Sequence, residues 1–274
     1  MYPARFLRYR PPAILHSVLR LITIPVSHYC EKARWALDRA GTAYREERHV
    51  QGIHQVAARR AGGSETVPVL VTPNGVLKES RDILVWADER TPPENRLFPA
   101  DPAEREEVER LCRRFDDELG PRGRRLIYIH VLPHRKLMLR YNNEGVPRWE
   151  DVFLRLAWPL AVRFARRQLA IEPGIEVDDE ASVWREFDFV ADVLSGGRGY
   201  LFGDRFGAAD LTFAALAAAV VAPPIYGVPL PQPDVLPDGT AALIQRAREH
   251  PAGRHALEMF ARHRRKQVGE SVAV

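Results

Sequence analysis

A chain of 274 residues, 46% hydrophobic and 28% charged, is long enough to bury two moderate cores and too apolar to be disordered. Its net charge of +4 rests almost wholly on arginine, and without an aromatic-basic platform it favours small anionic ligands and argues against nucleic acid. With only Cys30 and Cys112 present, a disulfide framework and a cysteine-rich metal centre are both excluded, which fits a reducing, cytoplasmic compartment.

Residues 1–16 lack acidic side chains and carry Arg5, Arg8 and Arg10, the composition of a transit peptide. Pro3, Pro11 and Pro12 break any helix there, and the first strand follows too soon for a long leader, so a short N-terminal arm is expected.

The apolar run Val18–Ile24 reads as a strand and passes through Pro25, Val26 and Ser27 into an amphipathic helix at Cys30–Ala40. A strand at Ala43–Val50, a helix or turn at His54–Arg60 and a strand at Val67–Thr72 follow. The turn Pro73-Asn74-Gly75, a short strand at Val76–Lys78 and a helix at Ser80–Glu89 complete this half. The order β-α-β-α-β-β-α, with an Asn-Gly hairpin between its last strands, is that of an α/β thioredoxin-like layer, assigned to residues 17–90.

Breakers concentrate in residues 91–100, which read as a linker. From Asp101-Pro102 onward the pattern is helical, giving an all-α domain at 101–267 and a tail at 268–274. Apolar spacing of three and four marks helices at Glu104–Leu119, Pro121–Tyr141, Val152–Leu169 and Ala181–Leu194, with kinks expected at Pro133 and Pro159. Gly207 and Asp210 are spaced as a capping box, Phe206 and Leu211 as its hydrophobic staple, and a last helix at Ala241–Lys266 is interrupted near Pro251. The run Phe213–Pro223 is too short to span a membrane, so no membrane partner is expected. His130 and His134 lack the following Glu of a zinc-protease helix, and no metal is expected. Arg122, Arg124, Arg125, Arg135 and Arg140 read as a solvated basic face.

The candidate chemistry lies at the first strand-to-helix turn. A Ser27 side chain there sits beside the first helical N–H groups and the positive end of the macrodipole, where a thiolate is stabilised. Ser27-x-x-Cys30 is the redox Cys-x-x-Cys frame without its outer cysteine, so two-cysteine cycling is excluded, and a mixed disulfide at Cys30 stands as an alternative. Glu79-Ser80 opens a later helix, where the Ser80 cap offers donors to a carboxylate and Glu79 accepts from an ammonium.

The Ser27 turn, the Thr66-Val67-Pro68-Val69-Leu70 run and Glu79-Ser80 together resemble the N-terminal domain of the cytosolic glutathione transferases. The nearest match is to serine-type classes with a theta/delta-like motif. The resemblance implies a thioredoxin-like domain followed by an all-helical one. It also implies a cis Pro68, with the Val67 backbone pairing with the cysteinyl unit of glutathione as an added strand does. Ser27 then donates a hydrogen bond to the glutathione sulfur and favours thiolate over thiol. Glu79 and Ser80 hold the γ-glutamyl ends. Gln51 and His54, with Arg59 less favoured, are candidates for the glycine carboxylate. Gly62-Gly63 stands where the family commonly has Asn-Pro, and Gly207 where its capping box usually has Ser or Thr.

The implied activity is conjugation of glutathione, as cosubstrate, to a small hydrophobic electrophile in detoxification. Phe115, Leu119, Tyr128 and Trp158 are candidates for the substrate cleft. A homodimer is implied as well. The alternative is a non-enzymatic module of the same fold that binds glutathione, a hydrophobic ligand or a protein partner, and another cytosolic thiol stays open as cosubstrate.

Overall fold

The computed structural model describes residues 19–264, so the N-terminal arm, the expected start of the first domain and strand at 17–18, the expected end of the last helix at Lys266 and the tail lie outside the described residues. The first strand, β1 (Leu19–Thr23), gives way to a turn at Pro25 and Val26 that delivers Ser27 as N-cap of α1 (His28–Arg39). Next come β2 (Tyr44–Arg48), α2 (Ile53–Arg60), β3 (Val69–Thr72), β4 (Gly75–Leu77) and α3 (Ser80–Asp88), in the expected order. The sheet order is β2-β1-β3-β4, with β1 parallel to β2 and the other neighbours antiparallel.

Register decides which face each strand residue buries. Leu21 pairs with Leu70, and both enter the main core with Ala33, Trp35 and Leu37 of α1 and Ile83 and Leu84 of α3. Ile22 pairs with Val69 on the opposite face, under Ala58 of α2. Alternation along a strand thus splits consecutive apolar residues between two helical layers. The Val67–Pro68 bond is cis.

The remaining described elements are helical, from α4 (Pro102–Arg114) onward. A π-helical turn over Phe115–Leu119 joins α4 to α5 (Gly120–Val131). Pro133 and Pro159 separate helices where kinks were expected: α5 stops before α6 (Arg135–Asn142), and α7 (Arg148–Leu156) stops before α8 (Trp158–Gln168). A proline without an N–H is better accommodated in the first turn of a new helix than within an old one, and Pro159 is the second residue of α8. The helix α9 (Ile175–Leu194) begins six residues before its expected start.

At the centre runs α10 (Ala208–Val221), alanine-rich and apolar all round, as a helix enclosed on every side must be. Its N-terminus is capped from one side only, because Gly207 has no side chain to bond. The Asp210 carboxylate accepts from the N–H groups of Gly207 (3.0 Å) and Leu201 (2.9 Å), and His255 Nε2 lies 3.1 Å away. A Cβ on Gly207 would stand 3.2 Å from the Leu97 carbonyl oxygen, a tight contact at the position where the family's capping box usually has serine or threonine. The last described helices are α11 (Asp238–Glu249) and α12 (Pro251–His263), divided at Pro251.

Candidate functional site

A cavity of about 250 Å³ opens where the Ser27 turn faces α5, α6, α8 and α10. The sheet domain contributes Ile24, Ser27, His28, Gln51, His54 and Val67, and the helices contribute mainly apolar side chains such as Ile127, Met138 and Leu169. Ala219, the single α10 residue that is not buried, also borders it. A few polar groups from both walls, Ser27, Gln51 and His54 on one and Arg124, Tyr128 and Asn142 on the other, thus border a largely apolar space, the usual arrangement of a small-molecule site.

Ser27 is held by its own helix. Its Oγ accepts from the Cys30 N–H at 3.4 Å and its N–H donates to the Ile24 carbonyl at 3.2 Å. That cap uses an oxygen lone pair, so the hydroxyl keeps a proton to donate, and Ser27 borders the cavity. Cys30 is fully buried among core residues and does not line the cavity. Burial also pushes its thiol up from the ordinary value, so it is protonated and withdrawn from exchange.

Of the four expected cleft residues, only Tyr128 lines the cavity; its hydroxyl bonds to Gln51 and to Asn142 (3.2 Å). Phe115 and Leu119 are fully buried instead, Phe115 against Phe189 and Phe213. Both belong to the π turn, which continues the buried stripe of Val108 and Cys112 and packs against α9 and α10. Trp158 borders a separate void of about 20 Å³ beside Gln51 and Met138.

Glu79 is the N-cap of α3 and Ser80 its first residue, so the cap lies one position earlier than expected and makes no side-chain bond. Both stand outside the cavity lining, Ser80 buried and Glu79 exposed. Although the residue is exposed, partial desolvation of its carboxylate, with Asp82 nearby, raises the Glu79 pKa from the ordinary value. Arg59 is paired with Glu65 on the surface and does not line the cavity. His54 borders the cavity but is held neutral, its pKa pushed down to about 4 mainly by burial. Burial likewise lowers His28 to about 3, with Arg124 adding to the effect.

Arg124 is the cation of this site. It lines the cavity, its guanidinium lies 5.9 Å from the Tyr29 ring centroid, and its buried Nε has no hydrogen-bond partner. Its neighbours in the basic run are engaged elsewhere, Arg125 with Asp179 at 2.6 Å and Arg122 with Glu118 at 3.2 Å. Net charge marks the run, but only the turn of α5 shows which arginine faces inward.

Residues 21–95 match the family model described as glutathione S-transferase, N-terminal domain. This domain belongs to the glutathione S-transferase superfamily. No curated protein matches the chain. The glutathione-transferase fold also extends over the helices. A Burkholderia graminis glutathione transferase, solved with two glutathione molecules per subunit, shares 17% identity, with 92% of this chain and 86% of that one covered at a TM-score of 0.57. A Sinorhizobium meliloti glutathione S-transferase shares 19% over 88% of this chain and 93% of that one, at a TM-score of 0.53. For a Populus trichocarpa glutathione transferase the identity is 14% over 89% of this chain and 99% of that one, also at 0.53. Glutathione-transferase architecture therefore accounts for both the sheet and the helical region, and the class within the superfamily is open.

Proposed function

We propose that the protein binds glutathione at the Ser27 turn and conjugates its thiolate to a small hydrophobic electrophile in the cavity. The observation that carries this reading is the Ser27 hydroxyl, fixed as an α1 N-cap through its oxygen and bordering an apolar cavity of about 250 Å³. A hydrogen bond from Ser27 Oγ to the sulfur, together with the α1 N-terminus and the Arg124 charge, favours thiolate over thiol. The thiol proton passes to solvent. The sulfur lone pair then forms a bond to the electrophilic carbon as the leaving group departs with its bonding electrons.

Val67, separated from β3 by the cis Pro68, supplies backbone groups to the cysteinyl unit, and Glu79 and Ser80 supply the γ-glutamyl contacts. Gln51 and neutral His54 recognise the glycine carboxylate by hydrogen bonding. Tyr128 and its apolar neighbours receive the electrophile. The same reading divides the chain at residues 91–100 into a glutathione-binding domain and a helical domain. It also makes the protein a homodimer of a reducing, cytoplasmic compartment, and both cysteines are buried and unpaired in keeping with such a setting.

Calorimetric titration with glutathione, beside conjugation assays on a panel of aryl halides and epoxides, tests the proposal. Saturable binding with turnover of at least one electrophile is expected. Binding without turnover across the panel would leave a glutathione-binding module, and absence of binding would remove the site.

A further inference from the structure

The segment 133–171 carries eight Lys and Arg against three acidic residues, a net +5 within a chain whose total is +4. Two of those acids are turned inward or paired. Glu150 is fully buried, 2.7 Å from His49 Nδ1 and accepting from the Val50 N–H at 2.9 Å, and Asp151 pairs with Arg155 at 2.7 Å. With Glu150 and Leu154 fastened against the sheet domain, α7 has no choice of orientation, and its apolar stripe faces out. Trp149 (62% exposed), Val152, Phe153 and Leu156 (80%) follow one another at the three-and-four spacing of a single helix face, and Leu160 (71%) and Phe164 of α8 extend it. Helix α8 has no acidic residue, and Arg155, Arg163, Arg166 and Arg167 stand exposed around the stripe.

We propose that this α7–α8 face docks on an anionic phospholipid surface, its aromatic and leucine side chains entering the headgroup boundary and its arginines contacting lipid phosphates. An apolar stripe of Trp, Phe and Leu bordered by arginine is the pattern of a helix lying in the plane of a membrane interface. A second copy is a poorer occupant, because a twofold contact on this face would set the arginine fringe against itself. Phe164 both belongs to the stripe and lines the cavity, so the docked face adjoins the place where an apolar ligand would enter.

Sedimentation of the full-length protein with phosphatidylcholine vesicles, with and without phosphatidylglycerol, tests the proposal. Partitioning is expected to be strong only on the anionic vesicles and to fall as salt rises. Leu156→Asp with Leu160→Asp should lower it at least about tenfold while leaving the thermal melt unchanged, since both side chains are exposed. Arg163→Gln with Arg166→Gln and Arg167→Gln should abolish the preference for anionic lipid. The proposal is overturned by equal sedimentation with and without vesicles or by partitioning indifferent to the leucine pair. It is likewise overturned if those leucine substitutions convert a dimer into a monomer in sedimentation equilibrium, which would assign the face to a second copy.

Discussion

Lys32 of α1 places its Nζ 2.7 and 2.8 Å from the two carboxylate oxygens of Asp116, and both side chains are buried, so this ion pair joins the sheet domain to the helical domain. Tyr29 adds a second tie, its hydroxyl donating to the Asp116 carbonyl at 2.7 Å. These bonds hold the Ser27 turn in position against α5.

Removing one partner of a buried pair leaves a charge without compensation. Lys32→Met is expected to cost about 3 kcal/mol, at the lower end for such pairs because Arg81 stands 3.6 Å from the same carboxylate. Lys32→Met with Asp116→Leu should regain most of that loss. Denaturant unfolding of the three proteins checks both expectations, and an unchanged Lys32→Met midpoint would deny the pair a structural role.

Acid should weaken the fold in two stages. His54 and His28 have folded pKa values of about 4 and about 3, below the ordinary 6.5, so the unfolded chain binds more protons and stability falls as pH drops below about 6.5. Burial raises Glu46, but Arg34 and Arg48 outweigh it and hold it at about 2, so its contribution is lost only below about 4.5. His54→Asn should reduce the first loss by up to about 3 kcal/mol, the linkage of a shift from 6.5 to about 4. Thermal melts from pH 7 to pH 4 measure it; identical slopes in parent and variant would contradict a neutral His54.

Glu79→Gln is expected to weaken glutathione binding by about 1.5–3 kcal/mol, the worth of a hydrogen bond to a charged group, with little change in melting because Glu79 makes no cap bond. Titration calorimetry reads this directly. Undiminished affinity would take Glu79 out of the ligand site.

Arg124→Met should move the pH–rate profile to higher pH and slow conjugation at neutral pH, since the cavity loses its nearby positive charge. A profile that keeps its position while KM alone rises would make Arg124 a substrate contact with no hold on the thiolate.

The order of strands and helices along the chain is largely legible in the sequence because turns and periodicity mark them: Asn74-Gly75 fixes the hairpin, and Asp101-Pro102 the start of α4. Ser27 is legible because a cap between a strand and an amphipathic helix is a local feature. The cleft is less so. Phe115 and Leu119 follow a helical stripe, but a stripe does not report whether it meets the core or the cavity. Arg124 is one of several arginines in its run, and its inward direction depends on packing between distant helices. Trp149, Phe153 and Leu156 carry the periodicity of a buried face, and it is the bonds of Glu150 to His49 and Val50 that turn this face outward.

The central claim is that Ser27 lowers the pKa of bound glutathione. Ultraviolet difference titration of the thiolate in the binary complex, for the parent and for Ser27→Ala, tests it most directly. The parent should titrate about one to two units below free glutathione, and Ser27→Ala should return most of that shift while its glutathione affinity stays within about threefold. An unchanged bound-thiol pKa in Ser27→Ala would contradict the account.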